Sequence, residues 1–261
     1  MKNKPFLIIL IILVLLLFTA IILTPTYKKP VIKKTLPAKT QGTIAIVIDD
    51  WGYHLNNLST LKEIKVPLTC AVLPNLKYSN LVANKLNSLG YEIILHLPMQ
   101  PKEKYALENN TITLNMNEKQ VQAIFIKDLS SVKFAKGVNN HMGSAITENI
   151  KMTTLVLTQI KKHNLYFLDS FVTAKSVCKE VATSLKIKFA KRDVFLDNSD
   201  DPLYIKNQLK KLKNLAKKNG VAIGIGHDRK NTLLVLKQML PLMKEEGYRF
   251  VFVSQVTEVS L

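Results

Sequence analysis

Cysteine is almost missing from this chain of 261 residues: Cys70 and Cys178 are the only two, and no C-x-x-C spacing occurs. That excludes a disulfide-stapled scaffold and a thiolate knuckle, and Cys70, inside the apolar run LTCAVLP, reads as a buried small hydrophobe. No G-x-G-x-x-G and no P-loop are present, so a nucleotide fold has no positive support. Arginine is scarce, and no basic stripe alternates with aromatics, which argues against nucleic acid despite a formal net charge of +18. Acids are absent before Thr43, where seven lysines fall, so the rest of the chain carries +11. A basic surface of that kind suits anionic membranes or cell-wall polymers, although lysines spread over helical segments such as KKLKNLAKK also serve plain solvation.

One long apolar run is present. Residues 6–23, FLIILIILVLLLFTAIIL, are uncharged and follow Lys2 and Lys4, a length that just spans a bilayer as a single N-terminal transmembrane helix. A cleavable signal is the competing reading, but no A-x-A-like site precedes Pro25. The lysines after the run outnumber those before it, which by count alone would put the C-terminal side in the cytoplasm. The short basic tail is how export signals begin, so the expectation is a domain in the periplasm or cell exterior, anchored to the cytoplasmic membrane or secreted after cleavage. Residues 24–42, with three prolines and many lysines, read as a tether, and residues 43–261 as the folded domain.

Within that domain, short Val/Ile-rich runs at 44–48, 68–73, 91–95, 164–168, 187–196, 221–226 and 248–253, with a weaker one at 134–140, alternate with helical patterns. Expected helices lie at 78–89, with Leu81 and Val82 on the apolar face; at 117–132, capped by Asn117; from Thr147, with Ile150 as first core residue; at 202–219; and at 231–246. The alternation predicts an α/β fold, a distorted (β/α) barrel of seven or eight strands.

Chemistry-bearing residues gather where these runs end. Asp49 and Asp50 close IAIVIDD, His96 follows EIIL, His141 stands in GVNNHMGS and His227 ends VAIGIGH. Strand ends of a parallel sheet converge on one face, so two carboxylates and three imidazoles would meet there, the ingredients of a divalent-metal site with an acid and a base beside it. Asp169 in YFLDS can orient a ligand histidine or move a proton, and Arg192 can hold Asp49 or contact substrate. His54, Asn140 and Asp193 are candidate substrate contacts, whereas Asp197 and Asp200, ahead of Pro202, read as turn or cap residues.

The ordered set IDDWG, HLPMQP, GVNNHMGS, FLDS, RDVFLD and AIGIGH resembles the divergent polysaccharide deacetylase family, across essentially all of 43–261. The resemblance implies a distorted (β/α) barrel that hydrolyses N- or O-acetyl groups of a polysaccharide with a divalent metal, zinc first among candidates. It assigns Asp49 as base, Asp50 as metal ligand and His227 as general acid. Typical members of the wider superfamily supply a second histidine four residues after the first; here that position is Gln100, and His141 becomes the candidate for the third ligand. Two alternatives stay open: a non-catalytic, membrane-tethered carbohydrate-binding protein on the same fold, and a glycosidase using Asp49 and Asp169.

Overall fold

The computed structural model describes residues 40–259. The expected anchor, and the tether as far as residue 39, lie outside them; no helix among the described residues is long and apolar enough to cross a membrane.

Strands β1 (Gly42–Trp51), β2 (Thr69–Val72), β3 (Glu92–Met99), β4 (Ala135–Met142), β5 (Tyr166–Asp169), β6 (Lys188–Lys191), β7 (Val194–Phe195), β8 (Val221–His227), β9 (Tyr248–Val251) and β10 (Glu258–Val259) form one sheet. Its order is β10-β6-β5-β4-β3-β2-β1-β8-β7, with β9 beside the start of β1. Every pairing is parallel except that of β10 with β6. Around it lie α1 (Leu58–Lys62), α2 (Ser79–Ser88), α3 (Glu118–Ser131), α4 (Ser144–Thr147), α5 (Ile150–Lys162), α6 (Cys178–Leu185), α7 (Pro202–Asn219) and α8 (Lys230–Glu245).

Every expected apolar run contains a strand, but the run 187–196 is split in two. At the break, Arg192 N donates to Asp169 O of β5 at 3.0 Å, while Asp193 N donates to Ile223 O of β8 at 2.9 Å. Two adjacent residues therefore bond to strands at opposite ends of the sheet, and the sheet must curl to bring those ends together. The result, among the described residues, is a curled half-barrel of ten strands, in place of the expected seven or eight. Asp193, expected to touch substrate, completes this junction instead: its Oδ2 accepts from Ile223 N at 2.8 Å.

Period-two alternation sorts the strand residues into two layers. Ile44, Ile46 and Ile48 of β1 join the large core between sheet and helices, with Leu95 of β3 and Phe167 of β5. Ala45 and Val47 face the lumen with Ile94, Tyr166, Leu168, Ile223 and Ile225. Small residues are needed on that concave side: a Cβ on Gly137 would stand 2.4 Å from the Tyr166 ring.

The helix caps follow sequence chemistry. Asn117 forms a capping box with Gln120 at the start of α3, and Asp201 accepts from Leu203 N and Tyr204 N ahead of Pro202. Two expectations need correcting. Asn149, not Thr147, caps α5, which leaves Ile150 on its outer face at 55% exposure and makes Met152 the first buried residue. Leu81 is 52% exposed, because α2 buries Val82, Ala83 and Leu86 instead.

Candidate metal centre

The lumen-facing parity of β1, carried past Ala45 and Val47, brings Asp49 to the mouth of the half-barrel. The same count brings His96 up from Ile94 on β3, Asn139 and His141 from Gly137 on β4, Ser170 from Leu168 after β5, and His227 from Ile225 on β8. Asp49 and His227 are register partners on adjacent strands, as are His96 and Asn139. Asp50 has the wrong parity, and a left-handed backbone (φ 67°) turns it into the same site. That turn is how two neighbouring aspartates serve one centre.

Three ligand atoms converge. Asp50 Oδ1 lies 3.3 Å from His96 Nε2 and 3.3 Å from His141 Nδ1, and the two ring nitrogens are 3.1 Å apart. Tetrahedral bonds of about 2.0–2.2 Å place neighbouring donors roughly 3.3–3.6 Å apart, so the triangle is nearly the size that a zinc-like ion requires. Side-chain exposure rises from 3% at His96 to 15% at His141 and 28% at Asp50, which leaves a solvent-facing side for a fourth ligand.

Asn139 explains which atoms face inward. Its Nδ2 donates to both oxygens of Asp49, at 3.0 and 3.1 Å, so its Oδ1 faces His96 Nδ1 at 2.8 Å and accepts that proton. His96 Nε2 is then a lone pair, or carries a second proton, opposite Asp50 Oδ1, a buried oxygen with no hydrogen-bond partner among the described residues. Only a proton or a cation makes that arrangement favourable. Burial lowers the His96 pKa, yet Asp49 and Asp50 raise it overall, which is how a proton holds the place a metal would take. Burial likewise raises Asp50, but the facing His141 and His96 imidazoles outweigh it and hold its carboxyl well below the usual carboxylate range. Asp49, fully enclosed, is pushed above that range by burial, against the pull of His96 and His227.

Opposite the triad, His227 Nδ1 meets Asp197 Oδ1 at 2.7 Å, and Asp197 Oδ2 accepts from His227 N at 2.8 Å and Thr232 Oγ1 at 2.6 Å. Burial lowers the His227 pKa, but Asp197 outweighs it and the net shift is upward. Asp197, expected as a turn residue, is fully buried and orients this imidazole.

The remaining candidates do other work. Asp169 shares the outward parity of Phe167; its oxygens accept from Phe171 N at 2.7 Å and Ser176 Oγ at 2.6 Å, fixing the loop after β5 rather than a histidine. Arg192 donates to the carbonyls of Ser170 and Phe171, each at 2.7 Å, and lies over the Phe195 ring, which stacks on His227. It braces the wall of the site and makes no hydrogen bond to Asp49. Asn140 is buried, donating to Met142 O at 2.7 Å and accepting from Ser170 N at 2.9 Å, so it is unavailable to substrate. His54 stands at the rim, its Nδ1 3.5 Å from Asp228 Oδ2. Gln100 Oε1 accepts from Leu114 N at 2.9 Å and pins the strap between β3 and α3, while His141 occupies the third corner of the triad. Asn139 and Asp228 were not singled out from the sequence, and Asp197 was read there only as a turn or cap residue. Counting back by two from His141 finds Asn139; β7, only two residues long, offers no period that could find Asp197.

Comparison with known proteins agrees with this architecture. The chain is 37% identical over 199 residues to the uncharacterised protein YibQ of Escherichia coli (strain K12), a match covering 76% of this chain and 62% of YibQ. Among solved structures, an uncharacterised protein from Agrobacterium tumefaciens C58 superposes with a TM-score of 0.79 at 20% identity, covering 85% of this chain and 91% of that one. A family 4 carbohydrate esterase from Streptomyces lividans, solved in complex with acetate, shares the fold at a TM-score of 0.51 and 12% identity, covering 81% and 93%. The divergent polysaccharide deacetylase profile matches residues 46–257, and the chain belongs to that family.

Proposed function

We propose that this protein is a metal-dependent deacetylase that removes acetyl groups from a polysaccharide or cell-wall glycan. The observation that carries the reading is the triangle of Asp50 Oδ1, His96 Nε2 and His141 Nδ1, with Asp49 and His227 as register partners beside it. A divalent ion held by that triad, zinc by its mixed imidazole and carboxylate donors, would supply Lewis acidity toward the acetyl carbonyl and acidify water.

The chain's own groups supply the rest. Asp49 is the base: burial raises its proton affinity, and Asn139 Nδ2 holds both its oxygens in place to take a proton from the attacking water. His227, with Nδ1 committed to Asp197, presents Nε2 as the acid that protonates the departing sugar nitrogen or oxygen. Its raised pKa keeps more of it protonated near neutrality. Arg192 and Phe195 back the imidazole and limit its movement.

The same reading makes 1–23 an anchor or signal and 24–42 a tether, with the domain outside the cytoplasmic membrane; the apolar run and the lysine-rich segment after it are the support. The experiment is acetate release from acetylated glycans by the purified chain with zinc. Release that disappears in Asp49→Asn and His96→Ala is expected. Release that survives both would refute the mechanism.

A further inference from the structure

The wall of the centre formed by the loop between β1 and α1 is fastened to two other loops, yet it is exposed. Tyr53 donates its hydroxyl to Glu108 of the strap between β3 and α3. His54 Nδ1 faces Asp228 Oδ2 at 3.5 Å, and Asn57 Nδ2 donates to Asp228 Oδ1 at 2.8 Å, tying the other end of the loop to the start of α8. Tyr53 nevertheless remains 47% exposed and the His54 side chain 40%. The loop borders the centre: Tyr53 follows Asp50 by three residues, and Asp228, which His54 and Asn57 face, donates its N–H to Asp49 O at 2.9 Å. On the strap that Tyr53 bonds through Glu108, Tyr105 is 62% and Leu107 44% exposed, which adds apolar surface to the same segment.

A tyrosine whose hydroxyl is already bonded offers its ring face, not its polar tip, and its rotamer is fixed before anything binds. Little side-chain entropy is then lost on stacking. A pyranose fits such a surface, with C–H groups on its face and hydroxyls at its edge. His54, with Nδ1 toward Asp228, has Nε2 left for one of those hydroxyls.

We propose that Tyr53 is the stacking platform of a second sugar subsite, holding the pyranose next to the one that carries the acetyl group, with His54 binding a hydroxyl and Tyr105 and Leu107 extending the surface. Resting on the deacetylase reading, this makes the substrate an oligomeric or polymeric glycan rather than an acetylated monosaccharide.

The test is calorimetric binding of the β-1,4-linked N-acetylglucosamine hexamer and of the monomer to the full chain with zinc, in an Asp49→Asn background that prevents turnover. The hexamer is expected to bind at least about tenfold more tightly than the monomer, and Tyr53→Ala to remove that advantage. Tyr53→Phe, which keeps the ring and gives up only the tether to Glu108, should stay within about threefold of the parent. Equal affinity for hexamer and monomer, no hexamer binding, an unaltered Tyr53→Ala, or a Tyr53→Phe as weak as Tyr53→Ala would each overturn the subsite. Acetate release by chains with Asp49 intact is read separately. Tyr53-dependent binding without release refutes the deacetylase and supports the subsite; release that Tyr53→Ala leaves unchanged refutes the subsite and supports the deacetylase.

Discussion

Asn139 Nδ2 lies 3.0 and 3.1 Å from the two carboxylate oxygens of Asp49, and the other end of the same amide accepts the Nδ1 proton of His96. One buried side chain therefore sets both the position of the base and the tautomer of a metal ligand. Asn139→Ala removes both the donor to Asp49 and the acceptor behind His96 Nδ1. Zinc affinity should fall by about 10–100-fold, the usual cost of removing a partner behind a ligand histidine, as read by competition with a chromophoric chelator. Unchanged affinity would mean that His96 needs no such orientation.

Asp197→Asn keeps the shape of the group behind His227 and removes its charge. The His227 pKa, raised mainly through its bond to Asp197, should then fall, as an NMR titration of the imidazole would show. Because the acid must be protonated, the alkaline limb of the activity profile should move to lower pH with it. Asp197→Ala also strands His227 N and Thr232 Oγ1 and should cost about 2–4 kcal/mol in a denaturant titration.

Gln100 bears on the ligand set directly. Its side chain holds Leu114 N and lies outside the triad, so Gln100→Ala should leave zinc stoichiometry and affinity unchanged and loosen the strap, seen as faster amide exchange at Leu114. A loss of zinc in this variant would return Gln100 to the ligand set in place of His141.

Asp128 on α3 gives a pH signature of stability away from the site. Burial pushes its carboxyl up to about 7, against the hydrogen bond from Asn75 Nδ2. Between about pH 4 and 7 the folded chain holds this proton while the unfolded chain has released it, so this contribution to stability is complete below pH 4 and is lost as pH rises through 7. Asp128→Asn, which still accepts from Asn75, should flatten that decline and raise stability at pH 8 by about 1–3 kcal/mol in urea titrations. An unaltered pH profile would show that Asp128 ionises normally.

The strands were legible because parallel strands covered by helices read as apolar runs, and their polar ends identified Asp49, Asp50, His96, His141 and His227. What composition could not convey was facing. Asp169 and Asn140 stand at strand ends as the site residues do, but their parity turns them out of the lumen, whereas Asn139 and Ser170, one residue away, face in. Arg192 and Asp193 lie within the single run read at 187–196, and their part in curling the sheet depends on pairing with Asp169 and Ile223, which is not a local property. Asp197 was hidden for the same reason, its partner lying thirty residues further along the chain.

The central claim is that Asp50, His96 and His141 form one metal site, and titration of the metal-stripped chain with zinc tests it most directly. One zinc per chain is predicted for the parent, and loss of the tight site in each of Asp50→Asn, His96→Ala and His141→Ala. A parent that binds no zinc, or a His141→Ala variant that still binds one with parental affinity, would contradict it.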